Sequence, residues 1–305
     1  MRLQGDVKTA CFTACKIQKN LTKTNPTLTQ EEPMLHKLFV LSIIMVIMLA
    51  STTTAQAISY GISDDGAHPN VGSIVVYWKE ALHQWCSGTL ISTNVFLTAS
   101  HCTALIAGFL EENPNAQFYV TFDQTISDTG TLYPFGPDDS HTNPAYYTAR
   151  GYDDPGDVAV IVLPQAPAGI TPAQLPTLGL LDDLKAEHIL NSTLFTAVGY
   201  GAIRSTNHKA GQSILDNFDR NRVDQEFLSL TNAWLTNSMN LATGNGGTCF
   251  GDSGGPHFVH LDGLETDIVV SVTVTGDAVC KATDKTYRVD TEAARNFLID
   301  YVSLP

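Results

Sequence analysis

Apolar residues in this chain come in short bursts separated by glycine, proline and asparagine, a rhythm that predicts an all-β protein. Strand-like bursts run through Ile74-Val75-Val76-Tyr77-Trp78, Thr89-Leu90-Ile91, Val95-Phe96-Leu97-Thr98 and Phe118-Tyr119-Val120. The series continues with Asp157 to Leu163, Leu194-Phe195-Thr196-Ala197-Val198, Phe227-Leu228-Ser229-Leu230 and Ile268 to Val274. Many short strands punctuated by turn residues fit a sandwich or a barrel. One stretch keeps a different period. From Thr291 to Val302 the apolar positions are Ala294, Phe297, Leu298, Tyr301 and Val302, a helical stripe with Asp290 or Thr291 available as N-cap. Residues 58–305 contain no internal repeat and no low-complexity segment.

The first 57 residues break the pattern. Met34-Leu35-His36-Lys37 leads into an uncharged run from Leu38 to Ala50, and a polar stretch then ends in Ala55-Gln56-Ala57. A basic start, a short apolar stretch and an A-x-A site read as a secretory signal peptide that begins at Met34 and is cut after Ala57. The run is shorter than the ~20 residues that a spanning helix needs, so no stable membrane insertion is expected once it is removed. Residues 1–33 are polar and unpatterned and are assigned no structural role.

The chain has 17 basic and 31 acidic residues; the first 57 positions hold six of the former and three of the latter, leaving residues 58–305 at a net charge of −17. That acidity favours solubility and argues against nucleic-acid binding, which uses basic patches. The acid pairs Glu111-Glu112 and Asp138-Asp139 read as ordinary solvated surface. A chain of 248 residues buries a core without a disulfide-dense scaffold. Four cysteines, Cys86, Cys102, Cys249 and Cys280, remain after Ala57, which allow three pairings. None forms a C-x-x-C pair, so neither zinc nor another metal is expected. Asn191-Ser192-Thr193 is a glycosylation sequon, meaningful in a host that glycosylates.

The chemistry concentrates in Gly247-Thr248-Cys249-Phe250-Gly251-Asp252-Ser253-Gly254-Gly255-Pro256. Small residues on both sides of Ser253 let a substrate backbone approach the hydroxyl and let the chain turn so that N–H groups converge. A serine hydroxyl is a poor nucleophile alone and requires a base and an orienting acid. Thr98-Ala99-Ser100-His101-Cys102 closes a strand-like run and supplies the base candidate His101. Gly156-Asp157-Val158-Ala159 opens another and supplies the acid candidate Asp157, which needs a partner if it is buried.

These three segments, in the order His, Asp, Ser, resemble the motifs of the trypsin/chymotrypsin-like serine proteases over roughly residues 58–305. The resemblance implies two packed antiparallel β-barrels with a C-terminal α-helix. The first barrel would span about 58–165 and the second about 178–305, with the proline-rich stretch after Leu163 as the seam. It also implies a secreted, monomeric endopeptidase without cofactor, acting on protein or peptide substrates through an acyl-enzyme intermediate. His101, Asp157 and Ser253 would be catalytic, and the N–H groups of Gly251 and Ser253 would form the oxyanion hole. The implied disulfides are Cys86–Cys102 and Cys249–Cys280. In the same likeness a new amino terminus at Ile58 would pair with Asp252; because the expected signal cut falls directly before Ile58, signal removal itself is expected to activate the enzyme.

Specificity follows the same likeness. The pocket floor falls at Gly247 and Thr248, and its wall at Val274, Thr275 and Gly276. A floor without aspartate implies a preference for apolar or small side chains over Lys and Arg, unless Asp277 or Lys285 intrudes. The chain departs from the family pattern at three places. Ser100 replaces an alanine, which reads as a small change. Val274 stands where many relatives carry a serine bonded to the catalytic aspartate, and Thr275 where an aromatic is common. Gly199-Tyr200-Gly201 matches the family's Gly-aromatic-Gly turn. The alternatives are a catalytically inactive homologue acting as a binding module, and an α/β-hydrolase esterase, since Gly251 to Gly255 also satisfies G-x-S-x-G. The esterase lacks support from any βαβ rhythm, and His257 and His260 follow the serine too closely to complete it.

Overall fold

The computed structural model describes Ile58, residues 60–149, 153–204 and 214–305. The expected signal peptide, Cys11 and Cys15 lie outside the described residues. Among the described residues no helix is long and apolar enough to cross a membrane.

The strands form two antiparallel sheets. A two-residue strand β1 (Ile62–Ser63) comes first, followed by β2 (Val71–Trp78), β3 (Ala81–Leu90) and β4 (Val95–Thr98). Next are β5 (Gln117–Thr121), β6 (Tyr133–Phe135), β7 (Ser140–Thr142) and β8 (Ala159–Val162). The remainder are β9 (Leu194–Gly199), β10 (Asn221–Leu230), β11 (Trp234–Ser238), β12 (Pro256–Leu261), β13 (Leu264–Gly276) and β14 (Thr283–Arg288). The first sheet has the order β6-β5-β2-β3-β4-β8-β7 and curls as a half-barrel without closing. The second closes: β9 pairs with both β12 and β10, completing a six-stranded barrel to whose rim β1 adds. β1 is thus a crossover, since its chain neighbours feed the first sheet while it pairs with β10 of the second.

Each sheet wraps its own apolar centre. Ile74, Leu90, Phe96, Phe118 and Ile161 fill the first, and Phe195, Leu235, Val259 and Val270 the second. A further cluster joins them, with Val71, Leu97 and Val160 of the first sheet packed with Phe258, Val269 and Tyr287 of the second. The C-terminal helix Glu292–Leu298 places Ala294, Phe297 and Leu298 in this shared cluster, so it seals the junction as well as the second barrel. Its N-cap is Thr291, whose hydroxyl accepts the Ala294 N–H at 3.2 Å; Asp290 instead binds Arg288. The disulfides Cys86–Cys102 and Cys249–Cys280 are both formed. With closed loops of these lengths, each stabilises by about 3 kcal/mol.

A buried charge network also spans the junction. Arg220, 2% exposed, donates through Nε to Asp64 at 2.8 Å and through Nη1 to the carbonyls of Val71 and Phe122 and to the Tyr200 hydroxyl. His68 bonds Asp64 at 2.5 Å and Glu265 at 2.6 Å and stacks on Phe258. Burial by itself would lower the pKa of His68, but hydrogen bonds to two carboxylates outweigh it and hold the value up to about 9, against an ordinary 6.5. The folded state therefore keeps this proton where the unfolded chain has released it. The stability it contributes is complete below pH 6.5 and lost as pH rises through about 9. Urea unfolding from pH 6 to 10 is expected to show the wild type losing its advantage over His68→Gln across that interval. A constant difference between the two would contradict a buried imidazolium.

Candidate active site

Antiparallel pairing brings the first two candidate residues together. β4 and β8 align Thr98 with Ala159, so the exit of β4 lies beside the entry of β8. The single turn Ser100–Thr103 that follows β4 carries His101, and the residue two before β8 is Asp157. The His101 N–H donates to Asp157 Oδ1 at 3.0 Å, and His101 Nδ1 lies 3.0 Å from Oδ2. The imidazole is part-exposed and the carboxylate nearly buried, so the acid is shielded while one edge of the base reaches the surface.

Ser100 is more than a small substitution. It is fully buried, and its hydroxyl lies 3.0 Å from the carbonyl of Gly156 and 2.8 Å from that of Val158, the two residues flanking Asp157. Its oxygen also accepts the Asn143 N–H at 3.3 Å. An alanine would leave those acceptors without this donor. The only hint in the sequence was the departure from the family pattern, which carries no information about a contact across 56 residues.

The serine loop approaches from the second barrel. Ser253 O accepts the Ser87 N–H of β3 at 2.8 Å and lies 3.7 Å from Cys102 Sγ, beside His101. Gly254 has φ +80°, and a Cβ there would sit 2.1 Å from Thr98 Oγ1 and 2.5 Å from Ser87 O. Only glycine permits this approach of the serine loop to the end of β4, just before the turn that carries the histidine. Gly251 has φ +97°, and its carbonyl accepts from Gln84 Nε2 and Ser87 Oγ, which fixes the orientation of the peptide. Among the described residues neither the Gly251 N–H nor the Ser253 N–H has a hydrogen-bond partner. No hydrogen bond joins the Ser253 hydroxyl to His101, a contact that commonly tightens only when substrate binds.

Asp252 is wholly buried. Its carboxylate accepts the Gly201 N–H at 2.7 Å and the Cys249 N–H at 2.8 Å. A Cβ on Gly199 or Gly201 would fall 2.2 or 2.4 Å from Asp252, which explains the Gly-Tyr-Gly turn. Burial, with the charge of Asp284 adding to it, raises its pKa to about 7 against the two backbone bonds. No cationic side chain among the described residues is bonded to it, and Ile58 is also wholly buried.

Beside Ser253 lies a cavity of 130 Å³ lined by Thr248, Val274, Thr275 and Gly276, four of the five expected pocket residues, together with Phe250 and Asp277. Gly247 is not part of the lining; it is buried against Met239, whose Sδ would be 2.0 Å from a Cβ on the glycine. Asp277 reaches the cavity, but its carboxylate binds the N–H groups of Lys281, Ala282 and Thr283, which hold its pKa low against its partial burial. Lys285 points elsewhere, with Nζ 4.1 Å above the Trp234 ring. Cys86, His101 and Cys102 cluster closely enough to suggest a metal site, but the two sulfurs are joined to each other and offer no thiolate.

A curled sheet and a closed barrel that meet at a His–Asp pair and a glycine-flanked serine define the chymotrypsin-like fold. Comparison with known proteins agrees. The trypsin family model matches residues 63–297, and the chain belongs to that family. A solved structure titled as HL collagenase shares the fold with a TM-score of 0.54 at 17% identity, covering 79% of this chain and 96% of that one. No curated protein matches the sequence.

Proposed function

We propose that this trypsin-family domain is a secreted serine endopeptidase in which Ser253 is the nucleophile. Ser253 Oγ attacks the scissile carbonyl as His101 Nε2 takes its proton. The C–N bond then breaks as the imidazolium returns that proton to the leaving amine. Water repeats the sequence to release the acyl group. Asp157 holds the Nδ1–H tautomer and stabilises the imidazolium. The free N–H groups of Gly251 and Ser253 stabilise the oxyanion, each worth about 3–4 kcal/mol. The observation carrying this reading is the His101–Asp157 hydrogen bond on the curled sheet, set against the unpartnered N–H groups of Gly251 and Ser253 on the closed barrel.

The cavity suits one apolar or small side chain. It presents no free carboxylate for lysine or arginine, because the oxygens of Asp277 serve its own loop. Cleavage after Ala57 would give Ile58 a free ammonium group for the buried Asp252, which has no cationic partner among the described residues and cannot stay ionised cheaply alone. The two disulfides fit export into an oxidising compartment.

The test uses the full chain expressed with its own leader. N-terminal sequencing, a panel of peptide substrates and a fluorophosphonate with mass mapping are applied to the product. Processing to Ile58, cleavage after apolar residues and a label on Ser253 are expected. Ester cleavage without peptide cleavage, or no label on correctly processed protein, would overturn the assignment.

A further inference from the structure

We propose that Tyr287, on the second barrel, is a positioning residue for Asp157, fixing the turn that carries it by a hydrogen bond across the barrel junction. This rests on the endopeptidase reading and adds a residue to its machinery. The Tyr287 hydroxyl donates to Asp154 Oδ1 at 2.7 Å, linking residues 133 apart in sequence. The same oxygen accepts the Gly156 N–H at 3.2 Å. Gly156 holds φ +63°, a conformation that would otherwise be free to relax, and Asp157 follows it directly. The one carboxylate oxygen thus ties together the second barrel and the bend that aims the acid.

The ring itself has little freedom. Tyr287 is wholly buried, packs edge-on to Trp234 at 6.0 Å and pairs with Val272 in the sheet. Burial, reinforced by Asp154 and Asp157, pushes its hydroxyl well above the ordinary range, so it remains a neutral donor. Asp157 itself accepts only from His101 among the described residues. Val274 lines the cavity and offers no hydroxyl. Contact from the second barrel therefore reaches the acid indirectly, through Tyr287 and Asp154. Ser100 secures the same segment from the first barrel, by the carbonyls on either side of the acid.

The test compares wild type, Tyr287→Phe, Asp154→Ala, Asp154→Asn and the Tyr287→Phe/Asp154→Ala double variant in the fully processed protein. Tyr287→Phe keeps the ring and its packing and removes one oxygen. Its kcat is expected to fall about 10- to 100-fold, as for a sub-ångström misplacement of a catalytic group, with KM nearly unchanged. Asp154→Ala should match it, and the double variant should be no slower than either single one. Asp154→Asn keeps an acceptor oxygen and should restore most of the rate. The nuclear magnetic resonance signal of the His101 Nδ1 proton, shifted downfield by its bond to Asp157, should broaden in Tyr287→Phe and stay sharp in Asp154→Asn. Equal kcat and an unchanged signal in Tyr287→Phe, or additive losses in the double variant, overturn the proposal. If wild type shows no turnover, the endopeptidase reading fails by itself, and the His101 signal still decides whether Tyr287 positions the acid.

Discussion

Replacing Ser253 by alanine is expected to lower kcat by about 10⁶-fold, and adding His101→Ala to that variant should cost nothing further. The reason is the division of labour at the site. His101 is useful as a base only when a hydroxyl waits for it, and the hydroxyl is a nucleophile only when the base removes its proton. Deleting either leaves the other without work. The N–H groups of Gly251 and Ser253 would survive both changes, because they belong to the backbone. Residual catalysis of about 10³-fold over water should therefore persist in both the single and the double variant. KM should change little, since the cavity residues Thr248, Thr275 and Gly276 are untouched. Steady-state kinetics on one good peptide substrate checks this. Additive losses in the double variant would mean that Ser253 and His101 serve separate steps.

The second large effect concerns stability. Arg220→Leu should destabilise the fold by about 3–5 kcal/mol, the usual consequence of removing one partner of a buried ion pair. For a chain of this size that corresponds to roughly 10 °C in melting temperature. The guanidinium sits between the sheets, pairing with Asp64 and donating to the Val71 and Phe122 carbonyls from one nitrogen. Leucine matches the apolar stem and leaves a buried carboxylate with His68 as its remaining partner. Arg220→Lys should rescue little, because an ammonium cannot reproduce the planar fork that reaches these acceptors together. Differential scanning calorimetry at pH 7 distinguishes the outcomes. A leucine variant melting within a degree or two of wild type would show that the network is ornamental to stability.

Residue type and local spacing carried much of this protein. The alternation of apolar bursts and turn residues was enough for an all-β chain, and the stripe beginning at Ala294 for its terminal helix, though the helix ends at Leu298, short of Tyr301 and Val302; both depend on neighbours a few positions away. The serine loop was legible for a related reason. Gly251 and Gly254 must adopt positive φ against crowding neighbours, and only glycine does so at low energy.

Tertiary structure decided the rest. That one sheet closes while the other stays open, and that β1 crosses to the second, are settled by strand register between distant segments. The grip of Ser100 on the flanks of Asp157, the reach of Tyr287 to Asp154 and the Arg220 staple join residues 56 to 156 positions apart. A hydroxyl or a guanidinium looks the same in sequence whether it meets solvent or a buried acceptor. Burial and distance assign its role, and both exist only once the chain has folded.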